Sequence, residues 1–263
     1  METLTIVKAG GKIVEDDNAL NSLLADFTLI EGYKILVHGG GRSATKLSEQ
    51  LGIESRMIDG RRITDAEMLK IVTMVYAGWV NKTIVARLQA QHVNAVGLTG
   101  ADMNVIRAVK RPVETIDYGF VGDVKEVNAS LLTMLLKQHV VPVLSPLTHD
   151  GKGLLLNTNA DTIAFETAKA LSKAFDVTLI YCFEKSGVLR NEQDETSVIP
   201  CIDKALFQRY KTEGVIRGGM IPKLENAILA IDAGVKKVLI TNASEINGNK
   251  GTLIRQNINL LAE

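Results

Sequence analysis

The stretch Lys34–Leu47, KILVHGGGRSATKL, decides the fold. Ile35, Leu36 and Val37 are apolar on consecutive positions, without the polar alternation of a strand that has one wet face. Such a strand is covered on both sides. Gly39, Gly40 and Gly41 then break the run, and a helical stretch follows. The same order recurs along the chain. LTIVKA, NAVGLT, VVPVLS, VTLIYCF and KKVLITN read as further strands bounded by Gly, Pro, Ser or Asn. Helices are expected between them. Residues 16–30 carry Leu20, Leu23, Leu24 and Phe27 at helical spacing, and a long helix starts at Thr64 with a Thr64…Glu67 capping box. ASLLTMLLKQH, ADTIAFETAKALSKA and PKLENAILAIDAG complete the set, the last stopping on Gly234. This alternation predicts an α/β protein, a three-layer α/β/α sandwich around a central, mainly parallel sheet. Residues 53–64, residues 104–127 and LTHDGKGLLLNTN interrupt it as β-hairpin insertions.

Composition narrows the function. Hydrophobic residues are 46% and charged residues 23%, the balance of a globular protein. Lys+Arg and Asp+Glu are both 30, so the basic excess of a general nucleic-acid binder is missing. Cys182 and Cys201 make neither a disulfide framework nor a zinc set, and Cys182 lies in an apolar run as a buried thiol. The N-terminus lacks a signal-peptide pattern, and no uncharged apolar run approaches the roughly 18 residues that span a bilayer. The expectation is a cytoplasmic protein with no membrane and no nucleic-acid partner. His38, His92, His139 and His149 show no H-x-x-x-H spacing, so no metal site is expected. Met74, Tyr76 and Trp79 on the long helix read as core or subunit contact.

Three glycine turns carry the candidate chemistry. Lys8 ends a strand before Gly10-Gly11, Gly39–Gly41 follow another strand, and Gly218-Gly219 precede Met220-Ile221-Pro222-Lys223 at a helix start. Glycine lets backbone approach a ligand closely, and clustered amides at a helix start favour anions. Pro222 suits a first helical turn. Lys223 does not, because a cation is the wrong sign for the positive end of a helix dipole. An anion beside it would reverse that sign. No P-loop sequence is present. GGGRSA matches G-x-G-x-x-A, with Asp59 at the distance of a ribose contact, so a nicotinamide-dependent oxidoreductase is one reading. Asn157, Asn159 and Asp161 precede an apolar helix; Asn159 or Asp161 suits its cap, and Asp161 is also placed to hold lysine ammoniums.

Taken together, these pieces resemble the amino-acid kinase family, in its N-acyl-glutamate branch. The resemblance runs in order through KAGG at Lys8, VHGGG at Val37, DGRRIT at Asp59, VGLTGAD at Val96, GFVGDV at Gly119, NTNAD at Asn157, SGVL at Ser186, GGMIPK at Gly218 and GTLI at Gly251. It implies the amino-acid kinase fold in a single domain over residues 1–263. An acyl-glutamate lobe would span residues 1–175 and a nucleotide lobe residues 176–263. The implied reaction moves the γ-phosphoryl of ATP to the γ-carboxylate of an N-acyl-L-glutamate, N-acetyl or N-succinyl, giving an acyl phosphate in the second step of arginine biosynthesis. A carboxylate with an ordinary pKa of about 4.3 is already ionised at neutral pH. The reaction therefore calls for cations and backbone donors rather than a general base.

The resemblance also assigns roles. Lys223 would stand at the leaving side and Lys8 at the bridging and acceptor side, with Asp161 orienting both. Gly10, Gly11, Gly40 and Gly41 would donate amides to phosphoryl and acceptor oxygens. Arg62 would grip the substrate α-carboxylate and Asn157 its backbone, under a lid formed by the hairpin around Arg62. Glu184, Gly218, Gly219 and Met220 would join Gly10 and Gly11 on the nucleotide side. Mg2+ would be held by phosphates and water. Two positions depart from the pattern: Glu184 replaces the usual aspartate and Arg42 the usual proline. Arg107, Lys110 and Arg111 add positive charge near the acceptor, which with Arg42 would suit the extra carboxylate of an N-succinyl group. The chain begins about two residues before its first strand, which predicts a homodimer without arginine feedback. A catalytically silent sensor of the same fold is the non-enzyme alternative.

Overall fold

A computed structural model describes residues 1–58, 60–218, 220–247 and 250–256. The chain opens with β1 (Thr3–Ala9), α1 (Gly11–Glu15), α2 (Asp17–Thr28), β2 (Tyr33–His38) and α3 (Gly41–Gln50). The hairpin β3 (Met57–Ile58) and β4 (Arg61–Arg62) follows, then α4 (Ala66–Val72), a π-helical segment (Thr73–Val80) and α5 (Asn81–Ala90) without a break. Next come β5 (Ala95–Leu98), β6 (Ile106–Lys110), β7 (Gly122–Val127), α6 (Ala129–Lys137), β8 (Val141–Leu144), β9 (Leu147–His149), β10 (Leu155–Asn157) and α7 (Ala160–Leu171). The last part holds β11 (Asp176–Phe183), β12 (Cys201–Ile202), α8 (Lys204–Thr212), α9 (Met220–Asp232), β13 (Lys237–Asn242) and β14 (Thr252–Ile254).

Eight strands form the central sheet in the order β12-β14-β13-β11-β1-β2-β8-β5. All pairings from β13 to β5 are parallel, and β14 runs antiparallel to β13. The six expected strands run from β13 to β5, which forms one edge; β12 and β14 at the other edge are additions. The three expected hairpins are present: β3–β4, β6–β7, and β9–β10. The last two join through β6 and β9 into a separate four-stranded sheet.

Alternation along the central strands divides the core in two. Ile6, Val37, Leu179 and Tyr181 belong to one buried cluster, closed by residues of α6, α7, α8 and α9. Their neighbours Val7, Leu36, Ile180 and Cys182 belong to the other, closed by α2, α4, the π-helical segment and α5. Successive side chains of a strand point to opposite faces, so both faces are covered, as the unbroken apolar runs require. Leu20, Leu23, Leu24 and Phe27 of α2 are all buried. Each contributes about 1.5–3 kcal/mol by leaving water. The Cys182 thiol is pushed up by burial to about 12 and stays protonated at neutral pH.

The start of the long helix corrects the expected capping box. Asp65, not Thr64, is the cap, its carboxylate accepting from the Met68 amide at 2.8 Å. Glu67 turns instead to Lys70. Thr64 is fully buried and engaged elsewhere. Its hydroxyl donates to the Arg62 carbonyl at 3.0 Å and accepts from Asn157 at 2.9 Å. The helix is also not α-helical throughout. Among the described residues, no helix is long and apolar enough to cross a membrane. Asp65→Ala is expected to lower stability by about 1 kcal/mol, and Glu67→Ala by less than about 0.5 kcal/mol. Urea unfolding of both variants checks the assignment, and the reverse ranking contradicts it.

Candidate active site

The site forms where the parallel strands end. β1 lies between β11 and β2, so the chain runs outward from it in both directions and a crevice opens at the strands' carboxyl ends. Ala9 is level with Cys182 and His38. The register brings the first two glycine turns side by side. The Gly10 amide donates to the Cys182 carbonyl at 3.0 Å, and the Gly39 amide to the Ala9 carbonyl at 3.2 Å. A Cβ on Gly39 would stand 3.3 Å from the Gly11 nitrogen, a tight contact that the missing side chain relieves where the turns stack.

Lys8 leaves the end of β1 and is largely buried. Its ammonium meets Asp161 Oδ1 at 2.6 Å, and Lys223 approaches Oδ2 at 3.8 Å. Oδ1 is shut off from solvent and is ion-paired without an aligned hydrogen bond. Asn159 makes this possible. It is the cap of α7, accepting from the Asp161 and Thr162 amides at 2.7 and 3.4 Å, which leaves the Asp161 carboxylate free to turn outward. Burial pushes that carboxyl up; the Lys8 and Lys223 ammoniums pull it down further, and the net shift is downward. The cluster holds two cations and one anion, an uncompensated positive charge in a mostly buried place. Such a cluster calls for an anionic guest.

A pocket on one side of the turns is lined by Gly39–Gly41, Arg62, Tyr76, Arg111, Asn157 and Asn159, among others. Arg62 is buried. It donates to the Gly41 carbonyl at 2.6 Å and to the Thr45 hydroxyl at 2.8 Å, and it also bonds Ser55. Asn157 is fixed by its bond to Thr64. On the other side a continuous cleft shares Gly39–Gly41, Met57 and Arg62 and adds Lys8, Gly10, Gly11, Lys12, Glu184 and Lys223. Glu184 is half exposed and ion-paired with Lys12 across the cleft mouth. Gly218 has a left-handed φ of 57°. Gly218 and Met220 line neither cleft, and Met220 packs against the core. Gly219 lies outside the described residues, as does Asp59.

The basic residues expected near the acceptor are mostly answered by neighbours. Arg107 pairs with Glu126 at 2.7 Å and Arg111 with Asp123 at 2.5 Å. Lys110 sits over the Phe120 ring, 5.2 Å from its centroid. Arg42 lines the cleft beside Gly41. Three members of the site were not foreseen. The sequence singles out neither Thr45 nor Lys12, and Tyr76 reads there as core or subunit contact. Tyr76 is indeed buried, but its ring floors the Gly40 turn: a Cβ there would lie 2.9 Å from Tyr76 Cδ1. Met74 and Trp79 are exposed. Among the described residues no group of three or more His, Cys, Asp or Glu could hold a metal ion.

Residues 3–242 match the Amino acid kinase family. The chain is 68% identical to an acetylglutamate kinase of Phocaeicola vulgatus, over 97% of this chain and 99% of that protein. Among solved structures it resembles smu.665 from Streptococcus mutans, with a TM-score of 0.81 and 29% identity over 97% of this chain and 99% of that one. Carbamate kinase from Giardia lamblia bound to AMP-PNP has the same fold, with a TM-score of 0.70 at 16% identity over 97% and 98% of the two chains.

The depressed Asp161 carboxyl links stability to pH. Its contribution is fully present above the ordinary value of 3.8 and disappears as pH falls through the lower folded-state value. Asp161→Asn is therefore expected to unfold at lower urea concentration than the wild type at neutral pH, with the gap closing at acid pH. A gap that stays constant with pH contradicts the ion-pair assignment.

Proposed function

The chain belongs to the amino-acid kinase family, and from that membership we propose that it phosphorylates the γ-carboxylate of N-acetyl-L-glutamate with ATP, the second step of arginine biosynthesis. It is a phosphotransferase with a carboxyl acceptor. The observation that carries the reading is the convergence of Lys8 and Lys223, which line the cleft beside the glycine turns, on Asp161. The acceptor occupies the pocket of Arg62 and Asn157, on residues 1–175, and the nucleotide the side that includes residues 176–263. An acceptor carboxylate oxygen forms a bond to the γ-phosphorus, and the bond to the β–γ bridging oxygen breaks, its electron pair leaving with ADP. The carboxylate is already ionised, so Asp161 takes no proton; it aims the two ammoniums. Lys8 steadies the phosphoryl oxygens toward the acceptor, and Lys223 the charge that grows on the leaving side. Gly10, Gly11, Gly40 and Gly41 supply amides, and Arg62 the grip on the α-carboxylate. Glu184, which lines the cleft, stands on the nucleotide side; Gly218 and Met220, which line neither cleft, are given no contact there.

Mg2+ accompanies ATP. Both Asp161 oxygens face lysines, so an ion brought with ATP would be held by phosphate oxygens and water and would neutralise phosphate charge. The oxidoreductase reading of GGGRSA is not favoured. The 68% identical relative is an acetylglutamate kinase, and the oxidoreductase reading leaves the two lysines without a task. A silent sensor would likewise leave them without a task. The protein works in the cytoplasm as a homodimer.

The acyl group follows from the paired charges. With Arg111 answered by Asp123 and Arg107 by Glu126, the neutral N-acetyl group suits the pocket better than N-succinyl. ADP release with the two acceptors side by side is expected to favour N-acetyl-L-glutamate; faster turnover of the N-succinyl form overturns that choice. Lys223→Ala is expected to lower kcat by about a hundredfold to a thousandfold, the scale of removing one aimed transition-state donor. Unchanged turnover would remove Lys223 from the mechanism.

A further inference from the structure

We propose that Asn81 and His38 form a buried positioning relay that sets the plane of the Gly39–Gly40 peptide and so aims the Gly40 amide into the cleft. The proposal rests on the phosphotransfer reading for its consequence, though not for its geometry. His38 ends β2 and is fully buried, so both ring nitrogens need partners inside the protein. Nδ1 lies 2.7 Å from the Gly39 carbonyl, and Nε2 lies 3.0 Å from Asn81 Nδ2. The same Nδ2 is 3.0 Å from the Val143 carbonyl, and Asn81 Oδ1 is 3.1 Å from the Lys82 ammonium.

These contacts leave one direction of donation. Side-chain amides can be placed either way round, so the neighbours must decide. A backbone carbonyl only accepts and an ammonium only donates. Val143 and Lys82 therefore agree: Nδ2 faces Val143 and His38, and Oδ1 faces Lys82. Nε2 must then accept, and the proton sits on Nδ1, from which it is donated to Gly39. Burial, opposed by the Gly39 bond and reinforced by Lys82, pulls the ring's pKa down to about 4, so it is neutral at working pH. A peptide unit is planar, with its N–H antiparallel to its C=O. Holding the Gly39 carbonyl therefore turns the Gly40 amide the opposite way. Among the described residues, the Gly40 and Gly41 amides have no acceptor, as befits the open start of α3. Three consecutive glycines cannot hold this orientation by their own side chains. Tyr76 blocks the turn from beneath, and the relay fixes its rotation.

The test reads the tautomer and the kinetics in the intact enzyme. Long-range proton–nitrogen spectra, with His38 assigned by its loss in His38→Asn, are expected to show Nδ1 protonated and Nε2 bare. An Nε2-protonated His38 in the wild type overturns the proposal before any variant is made. In Asn81→Asp the carboxylate can only accept, so the neutral ring is expected to move its proton from Nδ1 to Nε2, which removes the bond to Gly39 and lowers kcat by about a hundredfold, the scale of a misplaced group. A ring protonated on both nitrogens keeps that bond, and if kcat falls all the same the relay is wrong. KM should change much less, because a misaimed transition-state donor acts on kcat. His38→Asn can still donate to Gly39 from Nδ2 and is expected to keep kcat within about threefold. In that background Asn81→Leu should cost far less than alone, since the two act in series. If His38→Asn falls as far as His38→Leu, or if Asn81→Asp keeps both tautomer and kcat, the relay is wrong. If the wild type shows the expected tautomer but releases no ADP with an N-acyl-glutamate, the functional reading fails while the geometry stands.

Discussion

One carboxylate shared by two ammoniums ties the site together. Asp161 stands in the first turn of α7, Lys8 at the end of β1 and Lys223 in the first turn of α9. These elements are far apart in the chain, and the Asp161 contacts join them at the crevice. The arrangement also resolves the conflict at Lys223. A lysine at the positive end of a helix is repelled by the dipole. Asp161, at the corresponding end of α7, is favoured by its own dipole and attracts Lys223. One anion cannot fully answer two cations, and the excess is directed at the cleft. In the proposed reaction a polyanion supplies what is missing, so the cluster is least comfortable when empty.

Much of the frame was legible because its physics is local in sequence. Consecutive apolar positions identify a doubly covered strand, and all six expected runs are strands of the main sheet, five of them interior and β5 at its edge. The edge strands β12 and β14 are two and three residues long and carry no readable period. α8 escaped for a different reason: KALFQRYKT buries only Phe207 and Tyr210, too few for a clear stripe. The Thr64 error is instructive. Threonine and the following aspartate both suit a cap, and the choice was made by Asn157, distant in sequence, whose amide claims the threonine hydroxyl.

The site was legible as residue types, less as partnerships. Glycines, lysines and the N-x-N-x-D run announce an anion site, and the cluster is where they meet. Charge counting around Arg107 and Arg111 suggested a surplus, but sequence does not show that Glu126 and Asp123 lie across the hairpin. Register converts the surplus into pairs. The π-helical segment has no sequence signature of its own, yet it sets where Tyr76 meets Gly40. A side chain that reads as ordinary core becomes the floor of the turn.

The glycine turns then pose a physical problem that their sequence alone does not solve. Close approach of backbone to phosphate needs residues without side chains, and such residues have no means of holding a conformation. The protein supplies restraint from outside. The first turn is pinned by the Cys182 carbonyl and the second by the Ala9 carbonyl, both ends of neighbouring strands. Beneath the second turn lie Tyr76 and the buried His38–Asn81 pair, both set by the long helix. A polar pair in an apolar interior costs desolvation unless every partner is matched. Here the matching runs in one direction from the Val143 carbonyl to the Gly39 carbonyl. Rigidity is thus placed under the turn, and the open amides are left on the face where an anion can be met.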